Sequence, residues 1–285
     1  MRTRAVVAGG VVLALLAVVG VLLVVRKLGG DLRLPTATRI CTVQADGRVT
    51  LDADQMANAA TIAAIGAQLE MPERAVVVAL ATAYQESGLR NLAGGDRDSV
   101  GLFQQRPSQG WGTPERIREP RYAATRFYKA LRKVRGWERM RVTDAAQRVQ
   151  RSAFPEAYEK WADESEVLSK ALLGDVTGAV ACTVGRTPVM RGEAAAVALT
   201  RNLTLDWGLA SSAVPTDLTG LTLAASDQRN GWRYAHWLVS HAQDHGVKRV
   251  RFGALEWTAR DGTWTEVEAE PAATGRVVAE VFGDS

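Results

Sequence analysis

The chain has 285 residues, 47% hydrophobic and 23% charged, and a net charge of +4. That length holds one large domain or two small ones with real cores, and the composition excludes a disordered or low-complexity chain. The mild positive charge suits an anionic surface without choosing among acidic polymer, phospholipid and nucleic acid; no basic block is interleaved with aromatics, so nucleic acid is not expected as a partner.

Residues 5–25 read AVVAGGVVLALLAVVGVLLVV, uncharged throughout. About 20 such residues cross a bilayer as a helix. Arg2 and Arg4 precede the run, and Arg26 and Lys27 follow it. The expectation is a cytoplasmic tail over 1–4 and a signal anchor over 5–25. The chain is then a single-pass protein of the cell membrane, held to the cytoplasmic membrane with its bulk on the extracytoplasmic side. A cleaved signal peptide is the alternative, but the run exceeds the usual apolar region and no Ala-x-Ala site follows.

Residues 26–50 read as a linker with Gly and Pro, then a short hairpin around Asp46-Gly47. Cys41 and Cys182 each stand in Cys-Thr-Val and flank one block of the chain. A disulfide between them is expected, because they sit where the helical block starts and ends. Helical signals fill 51–182. Asp52 or Asp54 caps a helix to about Leu69. Pro72 opens an apolar one that Gly88 stops, and Thr113-Pro114-Glu115 starts another. "RYAATRFYKALRKVRGW" has an apolar stripe, Thr143 caps "DAAQRVQRS", and Pro155 opens a helix ended by Gly174.

After Cys182 the texture changes, and 186–285 reads as an α+β domain for wall binding or protein contact. "GEAAAVALTRNL" and "GWRYAHWLVSHAQDHG" are helices; "LTGLTLAAS", "VKRVRFG", "RVVAEVF" and the two arms around Asp261-Gly262 are strands. His236, His241 and His245 share one helix. His241 and His245 have the i, i+4 spacing of a metal pair, but no third ligand is evident, so packing histidines and no metal are expected. Trp207, Trp232, Trp237, Trp257 and Trp264 read as core.

The chemistry concentrates at "AVVVALATAYQESGL", residues 75–89. A segment built for burial ends in Glu86, and a carboxyl group there must be solvated, paired or neutral. Apolar walls and the negative end of a helix both favour the protonated form of a carboxyl group. Such an acid can donate to a glycosidic oxygen. Downstream, "NLAGGDRDSVGLFQQRPSQGW" carries Asp96, Asp98, Ser99, Gly101, Phe103, Gln104, Gln105 and Trp111. Carboxylates, amides and aromatic faces are what a sugar cleft needs. Against this stand ordinary readings: Asp96 and Asp98 beside glycines form turns, and Phe103 and Trp111 fill a core.

"ATAYQESGL" followed by "GDRDSVGLFQQRPSQGW" resembles the lysozyme-like domain of soluble lytic transglycosylase type, in the version found in cell-wall proteins of high-GC Gram-positive bacteria. There a helix ends in Glu-Ser, here Glu86-Ser87, and a Gly-Leu-[Met/Phe]-Gln segment follows, here Gly101-Leu102-Phe103-Gln104. "AAQRVQRSAFPEAY", residues 145–158, is similar too, and the likeness covers roughly 50–175. The resemblance implies an all-α lysozyme-like domain. In it Glu86 protonates the β-1,4 bond between N-acetylmuramic acid and N-acetylglucosamine and then acts as base. No cofactor is needed and peptidoglycan glycan strands are the partner, beside cell-wall or division proteins. Attack by the muramyl 6-hydroxyl gives a 1,6-anhydro end; a second carboxylate, Asp96 or Asp98, gives hydrolysis instead. The family's Ala-Tyr-Asn-Ala-Gly segment is absent, with Tyr158 in a related place. A non-catalytic scaffold of the same fold, gripping glycan with an inert Glu86, is the rival reading.

"GWRYAHWLVSHAQDHGVKRV" followed by "EWTARDGTW" resembles the C-terminal domain of related secreted wall proteins, similar to a D-Ala-D-Ala carboxypeptidase fold that has lost its zinc. The peptidase pattern Ser-x-His-x-x-Gly-x-Ala-x-Asp belongs just before this helix, where the chain reads "LTGLTLAASD" without a histidine. Zinc peptidase activity is therefore not expected.

Overall fold

The structure, a computed structural model, describes residues 39–152, 154, 156–185, 188–209, 213–216, 219–268 and 275–284. Alternation of apolar and polar residues forms the first hairpin. β1 (Ile40–Gln44) and β2 (Arg48–Asp52) pair with Cys41 opposite Leu51 and Val43 opposite Val49, all four facing the core. The turn falls at Asp46-Gly47, as the sequence indicates. β3 (Val180–Cys182) returns from far along the chain and pairs with the other edge of β1. Cys41 and Cys182 stand directly opposite, 4.0 Å apart at Cα, and are joined by a disulfide.

Asp52 ends the hairpin and caps α1 (Ala53–Gln68). Its carboxylate accepts from Gln55 N at 2.9 Å, and the Gln55 side chain accepts from Asp52 N at 3.0 Å. This reciprocal capping box satisfies two backbone donors at the helix start. Pro72 lies just before α2 (Glu73–Ser87), which is buried continuously from Ala75 to Tyr84. Gly88 ends it at φ +62, a conformation glycine takes without a Cβ penalty. The short α3 (Pro114–Ile117), α4 (Pro120–Leu131), α5 (Val142–Gln150) and α6 (Ala162–Leu172) follow. α1, α4, α5 and α6 all pack on α2, which is why α2 is apolar all round.

The remaining chain supplies α7 (Gly192–Trp207), β4 (Ala213–Thr216), β5 (Gly220–Ala224), α8 (Gln228–Ser240), α9 (Ala242–His245), β6 (Val247–Phe252), β7 (Leu255–Thr258), β8 (Trp264–Glu266) and β9 (Arg276–Val281). The strands form one antiparallel sheet in the order β4-β5-β9-β6-β7-β8. α8 packs on β6 and β9 and also on α1, α6 and β3. It is thus the layer between sheet and helices. Residues 39–285 form one compact unit, with a hydrophobic core running from Cys41 to Val281.

A buried polar knot crosses that layer. Asp206 on α7 is fully buried and ion-pairs with the Arg121 guanidinium of α4. It also accepts from Trp237 Nε1 at 2.8 Å and Thr61 Oγ1 at 3.0 Å. Arg121 donates further to Asn202 Oδ1 at 2.8 Å. Trp237 stacks on His241 with centroids 3.9 Å apart, and His241 on His245. Polar groups withdrawn from water must be paired, and here four helices supply the partners.

Two expectations are corrected. The region 51–182 is not all-α: β2 and β3 lie at its ends and pair with β1, so the described fold is mixed α+β. The cause is the period-two burial of Cys41, Val43, Val49 and Leu51, which a helical stack cannot cover. The second concerns the membrane anchor and the cell-membrane placement, for which the described residues supply no span. Among the described residues no helix is long and apolar enough to cross a membrane, and the apolar α2 has 15 residues enclosed by protein. Residues 5–25, on which the anchor was placed, lie outside the described residues.

The cross-link spans a sequence separation of 141. Closing so long a loop in the unfolded chain stabilises the fold by at most about 5 kcal/mol. Reduction, or Cys41→Ala with Cys182→Ala, lowers the urea unfolding free energy by up to that amount. An unchanged midpoint would contradict the cross-link.

The histidines give the fold a pH dependence. His236 is fully buried; its Nε2 accepts from Ala179 N at 2.9 Å, so Nδ1 donates to Ala171 O at 2.7 Å. Burial lowers His236 and His241 each to a pKa of about 4 from 6.5. Between those values the unfolded chain binds protons that the native one refuses. Stability therefore falls as pH drops from 6.5 towards 4, by about 1.4 kcal/mol per pH unit for each such histidine. His236→Gln removes one proton's worth of that slope in urea titrations at several pH values; an unaltered slope would contradict the burial.

Candidate functional site around Glu86

Glu86 sits half-buried in the last turn of α2. Its Oε1 accepts a hydrogen bond from Tyr158 Oη at 2.6 Å. Among the described residues no cation forms an ion pair with this carboxylate, and no other hydrogen bond reaches it. One oxygen is therefore held by a neutral donor, and the other has no hydrogen-bond partner among the described residues. Tyr158 is fully buried, and burial together with the adjacent Glu86 raises its phenol well above the ordinary value, so it stays a donor.

The chain positions Tyr158 through the segment after α5. Gln150 Nε2 donates to Phe103 O at 2.7 Å and Gln147 Nε2 to Ser152 O at 2.7 Å. Ser152 Oγ in turn accepts from Phe154 N at 3.1 Å. Across the helix end, Ser87 Oγ donates to Leu102 O at 2.7 Å, which clamps the loop onto α2. That loop needs tight backbone. Gly101 has φ +78, and a Cβ there would lie 2.8 Å from Ile117 O. Leu89, Arg97 and Gln104 also take positive φ. Each such non-glycine residue costs about 1–2 kcal/mol, strain that a binding loop can carry when the surrounding packing holds it.

Glu86 and Tyr158 are thus brought together by α2 and the segment after α5, and Ser87 joins the loop of Gly101 and Gln104 to the same helix end. Gln104 Nε2 donates to Gly101 O at 3.1 Å. The other sequence candidates are placed differently. Asp98 accepts from Arg106 Nε at 3.0 Å and from Ser108 N and Oγ at 2.8 and 3.1 Å, and these bonds lower its pKa to about 2. It is an ionised turn former. The Asp96 side chain is 87% exposed beside Arg97. Ser99 is buried with its N–H on Asp96 O, and the buried Gln105 donates to Ala123 O at 3.2 Å. Phe103 is no sugar platform: it lies in the core, stacked on Phe127 with centroids 4.8 Å apart. Trp111 packs half-buried against the core, its carbonyl accepting from Tyr122 Oη at 2.9 Å.

Trp161 is an aromatic against the last turns of α2 that sequence inspection missed. It stacks on Tyr84 at 4.7 Å and donates from Nε1 to Gln85 Oε1 at 3.1 Å. The only signal was its distance of three residues from Tyr158, which one helical turn converts into a shared face. Among the described residues no group of three or more His, Cys, Asp or Glu side chains is placed to hold a metal ion. Compared with known proteins, the chain matches no protein-family model and no curated protein.

Proposed function

We propose that the chain cleaves peptidoglycan glycan strands at the N-acetylmuramic acid–N-acetylglucosamine β-1,4 bond, with Glu86 as acid and then base. The observation that carries this reading is the carboxyl held through Oε1 by Tyr158, free of cations among the described residues, and next to Ser87, which fastens the strained Gly101–Gln104 loop to the helix end. The protonated carboxyl gives its proton to the leaving oxygen as the bond breaks. The carboxylate so formed, steadied by the Tyr158 hydroxyl, takes a proton from the attacking hydroxyl. Asp98 is engaged by Arg106 and Ser108, and the Asp96 side chain stands exposed beside Arg97. A route with one protein carboxylate is therefore favoured, the substrate's N-acetyl group supporting the oxocarbenium-like centre and its 6-hydroxyl attacking. This is the lytic transglycosylase outcome rather than the muramidase one.

Dye release from labelled insoluble peptidoglycan, with sedimentation to measure binding, tests the reading. The parent chain is expected to release label and the Glu86→Gln variant to bind without releasing it. Binding without release by both would make the site a glycan-gripping scaffold.

A further inference from the structure

A second feature lies beside the Glu86 site and not in it. A groove of about 1120 Å3 runs between α4 and α5, reaching Trp111 and Gln150 but not Glu86. α4 and the turn after it contribute Arg126, Lys129, Arg132 and Lys133, and Arg135 follows. α5 and its end contribute Arg148 and Arg151. No carboxylate lines the groove, and among the described residues none of these seven cations is in an ion pair.

The ordinary account of basic residues at these places is the helix dipole. Lys129 and Arg132 sit at the end of α4, and Arg148 and Arg151 at the end of α5, where the negative pole favours a cation. That account leaves Arg126, Lys133 and Arg135 over. Arg126 is bound to Gly110 O at 2.8 Å, yet its Nε is buried with no partner. Arg151 holds a left-handed backbone at φ +54, which glycine would adopt more cheaply. Gathering seven like charges in one concavity raises the local positive potential, which attracts a counter-charge.

We propose that this groove binds a linear, base-free phosphate polymer. Both helices present their C-termini here, so backbone N–H groups cannot hold an anion and side chains must. Five of the seven cations are arginines; Arg126 donates to Gly110 O and Arg132 to Leu69 O and Met71 Sδ, while Arg135, Arg148 and Arg151 offer planar forks that match phosphate oxygens two at a time. A concave trough fits a flexible single chain better than a flat lipid surface does. Binding of single-stranded nucleic acid relies on open aromatic faces for base stacking, and the groove's aromatic, Trp111, is packed against the core. The site stands apart from the Glu86 chemistry, so the two can fail separately.

The test is fluorescence anisotropy of an end-labelled glycerol-phosphate oligomer with the full chain, in about 50 mM salt and upward. Single-stranded DNA of equal charge is the comparison. The parent and Glu86→Gln are expected to bind the oligomer alike, with affinity falling as salt rises. Lys133→Glu with Arg135→Glu, both exposed, is expected to lose at least tenfold in affinity and to flatten the log–log salt slope by about 1.4, at roughly 0.7 per lost phosphate contact. Its circular dichroism and dye release should match the parent's. Three results would overturn the proposal: no binding at the lowest salt, an unchanged affinity in the double variant, or DNA bound tenfold more tightly than the oligomer, which would make the groove a nucleic-acid site.

Discussion

On the proposed activity, Glu86→Gln is expected to lower the rate of glycan cleavage by about 10^2–10^4-fold, the ordinary contribution of a positioned proton donor and acceptor. The amide is nearly isosteric, so the bond from Tyr158 to Oε1 can be kept while the proton to be transferred is gone. Tyr158→Phe is a graded companion. It removes a bond to a charged group without touching the acid, which costs about 1.5–3 kcal/mol, or roughly ten- to a hundredfold in rate. The loss should fall on kcat, with KM little changed, since the hydroxyl supports the charge formed as the proton leaves. Asp98→Asn serves as control: its oxygens are spent on Arg106 and Ser108, so turnover should stay near that of the parent once folding is verified. A collapse of activity in Asp98→Asn with normal activity in Glu86→Gln would reverse the assignment.

Asp206→Ala unfolds the protein more readily by about 3–5 kcal/mol, the cost of removing one partner of a buried ion pair. Three donors lose their acceptor at once: the Arg121 guanidinium, Trp237 Nε1 and Thr61 Oγ1. These come from α4, α8 and α1, so the loss strikes where the helices meet the layer beneath the sheet. Replacing both charges, as Arg121→Met with Asp206→Leu, should cost much less than the sum of the single changes, because no uncompensated charge is left behind. Urea unfolding of the three variants measures this. A loss under about 1 kcal/mol in Asp206→Ala would show that the knot is not needed for stability.

What the sequence disclosed and what it hid follow from the range of each interaction. The caps at Asp52 and Gly88, the turn at Asp46-Gly47 and the Asp261-Gly262 turn between β7 and β8 are set by neighbours in the chain, and they are where the sequence places them. Helix starts governed by tertiary packing moved. Thr143 lies inside α5 rather than at its cap, and α6 begins only at Ala162. β3 and β4, three and four residues long, were invisible because so short a run shows no period. At the site, Glu86 announced itself as a charge ending an apolar helix, while Phe103 and Gln105 looked equally available until packing enclosed them. The basic groove escaped notice because its cations are spread over 126–151 with Glu138 and Asp144 between them. Only the packing of α5 on α4 gathers them around one groove.

The measurement that bears most directly on the account is mass spectrometry of the soluble products released from purified peptidoglycan by the full chain and by its Glu86→Gln variant. The account predicts 1,6-anhydro-muropeptides from the parent and none from the variant. Equal product from both proteins, or none from either, would contradict a catalytic Glu86.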